Sequence, residues 1–305
     1  MAQQQSHELT DEGLQPLAAP PGDFSRGARS SIRRIGKNLL ASPALAWAEG
    51  WLPPLRYLHR RVYEREFARV VPWARRFYGV YANIDEALRA APAGKLVGYD
   101  NPAAASFMEP AGPLLPSDYP VLFWLAKCFQ DSSRILDIGG YVGISYYTYR
   151  TYLAYPENLE WIIQDVPAVA ASGVELARKQ ESRGLSFTTS ITQNLKPQIV
   201  LAAGSLQFIE EDLADLLTRM AELPVHLIIN KTPMTELPDF VTLQDLGPAV
   251  CAYRIFNRGK WIQSMEGLGY RLVDSWVNLD FSCRIPFHPT RAVPAYSGMY
   301  LTRQS

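Results

Sequence analysis

The chain has 305 residues, 48% hydrophobic and 20% charged, with 30 basic residues against 30 acidic ones. That composition is globular and supports a sizeable core in one large domain, or in one domain with an extension. The balanced charge gives no global field for nucleic acid. Three well-separated cysteines, Cys128, Cys251 and Cys283, offer neither a disulfide framework nor paired zinc spacing, and no metal site is expected.

The N-terminal stretch MAQQQSHELTDEG is polar and acidic, unlike a secretion signal, and no run of about 18 apolar residues occurs. The expectation is a cytoplasmic soluble protein, with peripheral membrane contact left open. Residues 1–30, rich in Gln, Pro, Gly and Ala, read as a disordered tail. Residues 31–115 read as a helical, basic extension interrupted at Pro43, Pro53, Pro54 and Pro72. From Arg26 to Arg76 there are 12 Lys/Arg and three acidic residues, Glu49, Glu64 and Glu66. The segment from Leu55 to Ala74 places Leu55, Leu58, Val62, Phe67, Val70 and Val71 roughly on one face and five arginines on much of the other. Two readings stand: a helix packed on the main domain with a solvated arginine face, or a surface for anionic lipid or glycan. Asn83 reads as the N-cap of a short helix. Gly94–Ala105 reads as irregular, and Ser117 or Asp118 as the cap of the helix that follows.

From about residue 116 to the end, strand and helix patterns alternate. Strands are expected at Arg134–Ile138, Leu159–Gln164, Leu185–Ile191, Gln198–Ala203 and Val225–Asn230. The intervening helices fall at Val142–Tyr155, Pro167–Ser182 and Glu211–Glu222. A helix over Lys260–Leu268 then leads to two strands, Tyr270–Asn278 and Tyr296–Thr302, with no helix between them, which should pair antiparallel. The fold class is α/β: a Rossmann-like, mostly parallel sheet finished by an antiparallel C-terminal hairpin, with a helical N-terminal extension.

The most informative stretch is RILDIGGYVG followed by IIQDVP. A buried strand carrying Asp137 runs into Gly139, Gly140 and Gly143, which permit a tight turn and close backbone approach to a ligand. Asp165, 22 residues beyond Gly143, stands where a carboxylate accepts hydrogen bonds from ribose hydroxyls. The pattern predicts a nucleoside-cofactor site, against the plainer reading of a tight turn that binds nothing.

These residues resemble the class I S-adenosylmethionine-dependent methyltransferases, in particular the small-molecule O-methyltransferases with a DxGGGxG loop and a DLPxV-like segment. With FYGVYANIDEAL and VGYDNPAAA included, the chain is similar to a group of bacterial methyltransferases of surface-polysaccharide and natural-product gene clusters. The resemblance covers about residues 116–305. It implies S-adenosyl-L-methionine as cofactor, with Asp137, Gly139, Gly140 and Gly143 around its methionine part, Tyr141 in the same cofactor-binding loop and Asp165 on the ribose. It places Gly204 and Ser205 at the methyl-transfer site. Tyr141 departs from the family, which usually has glycine there. After the third strand the family's adenine-contacting acid is missing, and Gln193 or Asn194 stands in its place. A catalytically inactive methyltransferase-fold binding protein and an NAD-dependent oxidoreductase are the alternatives. Against the latter, the glycine spacing does not supply G-x-G-x-x-G.

Of four histidines, His288 in IPFHPTR is the candidate general base, because its loop joins the final strands and can hang over the substrate mouth. His226 lies within a buried strand and reads as structural. Lys231 reads as a surface cation or a catalyst. The six tyrosines from Tyr141 to Tyr155 read as core packing with hydroxyls at polar edges, or as a ligand wall. The expected partner is a small-molecule or glycan acceptor, with no nucleic acid. The oxygen or nitrogen identity of the accepting atom stays open, as do homodimerisation and contact with an anionic membrane through the arginine-rich region.

Overall fold

The computed structural model describes residues 53–101 and 112–303. The first part comprises α1 (Pro53–Ala68), β1 (Arg76–Tyr81), α2 (Ile84–Arg89) and the two-residue β2 (Leu96–Val97). A 3-10 turn at Pro116–Asp118 leads into α3 (Tyr119–Cys128), β3 (Arg134–Ile138), α4 (Ile144–Tyr149), β4 (Glu160–Gln164), α5 (Pro167–Lys179) and β5 (Leu185–Thr188). There follow β6 (Ile199–Ala203), α6 (Leu213–Thr218), β7 (His226–Thr232), β8 (Met234–Thr235), β9 (Phe240–Asp245) and β10 (Ala249–Asn257). The chain then runs through α7 (Arg258–Gly267), β11 (Tyr270–Asn278) and β12 (Tyr296–Arg303).

Seven strands form the main sheet in the order β11-β12-β7-β6-β3-β4-β5. The five from β7 to β5 pair in parallel, and β12 inserts antiparallel between β7 and β11. This is the expected parallel core closed by a terminal hairpin, the strand order of the class I methyltransferase fold. Two-residue alternation sorts the core. Leu136, Ile138, Val200 and Leu227 pack with α6 and α7 residues on one face, and Ile135, Trp161, Ile163 and Ile199 pack against α3 and α4 on the other. Each fully buried Ile or Leu contributes about 1.5–3 kcal/mol. Asp137 shares the parity of Ile135, so its carboxylate belongs to the α3/α4 side.

The helix expected over Val142–Tyr155 stops at Tyr149, with Arg150 as its cap. The Thr151 hydroxyl donates to the Thr148 carbonyl, so a side chain takes up one of the last turn's acceptors. Tyr146, Tyr147 and Tyr149 are core residues, whereas Tyr152 is exposed; hydroxyls find partners at Tyr146 on Arg183 O, Tyr149 on Asp118 and Tyr155 on Tyr146 O.

A second sheet, in the order β1-β9-β10-β2 with β8 also on β10, adds two strands to the region read as a helical extension. FYGVY is a strand that pairs antiparallel with β9, and β2 joins β10 in parallel. The region before residue 116 thus shares one sheet with an insertion between β7 and α7. Asp245 pins that sheet: fully buried, it accepts from Arg76 and Lys95 and from the Gly247 amide.

Helix α1 lies on this sheet by a face that shares only Phe67 with the expected apolar stripe. His59, Tyr63 and Phe67 are buried at i, i+4 and i+8, whereas Leu58, Val62 and Val70 are 60%, 40% and 60% exposed. The three buried rings stack with Tyr78 and Phe287, and aromatic area outweighs the aliphatic stripe. Arg60, Arg61 and Arg69 face solvent and pair with Glu64 or Glu66. The tail at residues 1–30 lies outside the described residues, as does most of the stretch from Asn101 to Gly112. Among the described residues no helix is long and apolar enough to cross a membrane.

Candidate functional site

The turn after β3 is built around a carboxylate that the fold leaves partly unsatisfied. Asp137 is fully buried; its Oδ2 accepts from Trp161 Nε1 at 3.2 Å, and its Oδ1 has no hydrogen-bond partner. Burial pushes its pKa up to about 7; the Trp161 bond opposes the rise and the nearby Asp165 charge adds to it. A buried acceptor without a donor is uncommon and points to a missing partner.

The glycines make room above it. A methyl group at Gly140 would lie 2.6 Å from Asp137 Cγ, and one at Gly139, whose φ is +65°, would lie 2.4 Å from Ser205 Cβ. Only glycine fits either position without displacing the turn. The backbone amide of Gly139 donates to Gln164 O at 2.7 Å, tying the exits of β3 and β4 together.

Tyr141 occupies the left-handed region at φ 57°, a conformation that strains a residue with a Cβ. Its side chain is 6% exposed and packs with Val142 and Val169 against the start of α5. The non-glycine residue therefore keeps its ring in the core rather than in the turn's opening. Its backbone amide donates to Asp165 Oδ2 at 2.8 Å, while Val166 N donates to Oδ1 at 2.8 Å. Burial raises the Asp165 pKa, and these two amide bonds oppose the rise. Each carboxylate oxygen still keeps acceptor capacity.

Tyr99 and Asp100 were read as part of an irregular stretch and not as site residues. Asp100 accepts from Ala168 N in the first turn of α5 at 3.0 Å. Tyr99 packs edge-on against Phe208 with centroids 5.0 Å apart, and its hydroxyl, whose pKa burial raises, is near enough to Asp165 for that carboxylate to add to the rise. Turn formers without periodicity carry no signal of such placement.

Gly204, at φ 79°, and Ser205 follow β6, as expected for the sheet's carboxyl edge. The Ser205 hydroxyl donates to Ile138 O and so joins the exits of β6 and β3. Beside Gly204, a methyl group would stand 3.5 Å from Lys231 Cβ. Lys231 is not a free surface cation: it sits at φ 54°, its side chain is 18% exposed, and its ammonium pairs with Asp118 Oδ1 at 2.7 Å.

Asp118 takes the expected N-cap position of α3. It makes no side-chain cap to α3; it accepts from Leu115 N, from the Tyr149 hydroxyl and from Lys231. Asn230, fully buried, donates to Ser117 O and accepts from Trp276 and Asn278. Ser117 Oγ, Gln207 Oε1 and Asn278 Oδ1 are buried without partners in this neighbourhood.

His288 is not brought to this edge. Phe287 beside it packs on His59 and Tyr63 of α1, and Arg56 donates to Phe287 O. Burial lowers the His288 pKa, and Arg60, Arg56 and Arg291 lower it further. None of these groups belongs to the glycine turn. His226 is structural as expected, its Nδ1 lying 2.9 Å from the Tyr300 hydroxyl. Gln193 and Asn194 are both exposed.

No protein-family model and no curated protein matches the chain. Solved structures do align with it. One is the Burkholderia thailandensis 1,6-didemethyltoxoflavin-N1-methyltransferase with bound S-adenosylhomocysteine, at 15% identity and TM-score 0.43 over 62% of this chain and 79% of that one. Another is the magnesium protoporphyrin IX methyltransferase of Synechocystis PCC 6803 with bound SAM, at 14% and 0.41, covering 61% and 77%. A third is an amino pentose methyltransferase of Micromonospora echinaspora, at 14% and 0.40, covering 61% and 89%. Likenesses this distant carry no inference about donor, acceptor or reaction. By its own strand order, glycine turn and terminal hairpin, the chain has the class I methyltransferase fold.

Proposed function

We propose that the protein is an S-adenosylmethionine-dependent methyltransferase acting on a small-molecule or glycan acceptor. The observation that carries the reading is the unpartnered buried Oδ1 of Asp137 beneath glycines that leave no room for side chains. Those residues fit the methionine part of the cofactor, with Asp137, Gly139, Gly140 and Gly143 as its holders. Asp165 fits the ribose, because its oxygens keep acceptor capacity after the two backbone bonds. Bound S-adenosylmethionine would supply a sulfonium-activated methyl group, taken by an acceptor lone pair as the C–S bond breaks and its electrons stay on sulfur.

The chain's own task is then alignment and exclusion of water. Ser205 holds the β6 exit against β3, which fixes Gly204 relative to the glycine turn. Tyr99 and Phe208 supply an aromatic wall near Tyr141 and Asp165. His288, seated against α1, has no part in this proposal, and no general base is assigned. Titration calorimetry of the intact protein with S-adenosylhomocysteine tests the reading. Saturable micromolar binding is expected, weakened at least tenfold in Asp165→Ala, with no heat from NAD(H). Absence of binding at millimolar ligand would overturn it.

A further inference from the structure

Neighbouring arginines at the start of β1 have opposite fates. Arg76 is locked to buried Asp245, whereas Arg75 is exposed, hydrogen-bonds only the neutral Tyr296 hydroxyl and, among the described residues, makes no ion pair. Alternation along an extended chain sends the two side chains to opposite sides. The Arg75 guanidinium lies 4.8 Å from the centre of the Phe281 ring. The Lys231 ammonium lies 5.7 Å from the centre of that same ring. Lys231 in turn is beside Gly204, where the parallel sheet opens.

The surroundings of Arg75 are otherwise aromatic. Burial raises the pKa values of Tyr99, Tyr253 and Tyr296, and in each case the Arg75 charge opposes the rise, so the guanidinium is within electrostatic reach of all three hydroxyls. The carboxylates nearby are already engaged: Asp118 by Lys231 and Tyr149, and Asp280 by the Ser117 amide. Gln207 adds a buried oxygen without a partner, its amide nitrogen donating to Gly204 O. A guanidinium on an aromatic ring, next to a lysine at the sheet's open edge, is matched by a planar or tetrahedral oxyanion.

We propose that the acceptor carries a carboxylate or phosphate group, bound by Arg75 at the mouth that Phe281 and Lys231 form beside Gly204. This rests on the methyltransferase reading and names its substrate class. Lys231, held by Asp118, is a positioning residue for the same group.

The test uses full-length protein, with inorganic phosphate in one arm and acetate in the other, each titrated with and without saturating S-adenosylhomocysteine. At least one anion is expected to saturate a single site in the millimolar range, and the better one tells phosphate from carboxylate. Arg75→Met weakens it at least tenfold. Arg61→Met, which removes an equal charge from the outer face of α1, leaves it unchanged. Failure of either anion to saturate, an unaltered Arg75→Met, or an equal loss in Arg61→Met would overturn the inference. If adenosylhomocysteine binds while those results occur, this inference alone falls; if adenosylhomocysteine does not bind, the donor-site reading falls and takes the acceptor with it.

Discussion

Two aspartates, Asp137 and Asp245, are fully buried, and they are treated in opposite ways. Asp245 in the second sheet meets two cations, Arg76 and Lys95, and a backbone amide. Asp137 in the main sheet meets one indole and keeps an oxygen without a donor. Burying a charge is tolerated when it is paired and hydrogen-bonded, and is otherwise relieved by protonation. The paired carboxylate therefore belongs to the fold, and the unpaired one is the observation on which the proposed donor site rests.

The contrast breaks most visibly at Asp245. Asp245→Leu leaves Lys95, whose side chain is fully buried, with no counter-charge. Removing one partner of such a group costs about 3–5 kcal/mol. Urea denaturation is expected to register that loss, and a variant within about 0.5 kcal/mol of wild type would show that the triad does not hold the second sheet.

Asp137 gives a smaller, pH-dependent signature. Its pKa is about 7 in the folded chain, against an ordinary value near 3.9 when unfolded. The folded state thus holds the extra proton, and the associated stability is complete below about pH 4 and is lost as pH rises through about 7. Asp137→Asn keeps the Trp161 acceptor and removes the titration. Wild type should lose stability relative to this variant between pH 5 and pH 8, measured by chemical denaturation. A difference that stays constant over that range would mean that Asp137 does not titrate there.

The two regions also differ in how far the sequence reveals them. The parallel core of the main sheet is made of short β-branched runs such as IIQ and VHLIIN, most of them separated by a helix from the next, so local periodicity suffices. Its turn was legible because glycine spacing reports backbone shape directly. The second sheet pairs Arg76 with Asp245 and Leu96 with Ala249, contacts that no local pattern encodes. FYGVY lies within a stretch dominated by helical signals, and nothing local to Lys95 signals that it meets Asp245.

Asp137, Gly139 and Gly140 lie at the exit of β3 and Asp165 at the exit of β4, the positions in the fold that the local pattern predicts. Tyr141, the residue that broke the motif, turns its ring onto α5 and contributes its amide. Asp118, Tyr99 and Arg75 acquire their positions only through tertiary packing. The seat of His288 is set in the same way: Phe287 beside it finds an aromatic surface on α1.

The central claim is that the Asp137 side of the main sheet is a donor site. The most direct measurement is a crystal structure of the protein with S-adenosylhomocysteine. The account predicts ligand density over Gly139–Gly143, with ribose hydroxyls within hydrogen-bond distance of Asp165 and the sulfur opening toward Gly204. Density seated elsewhere, for example on the second sheet beside Asp239 and Arg254, would contradict it.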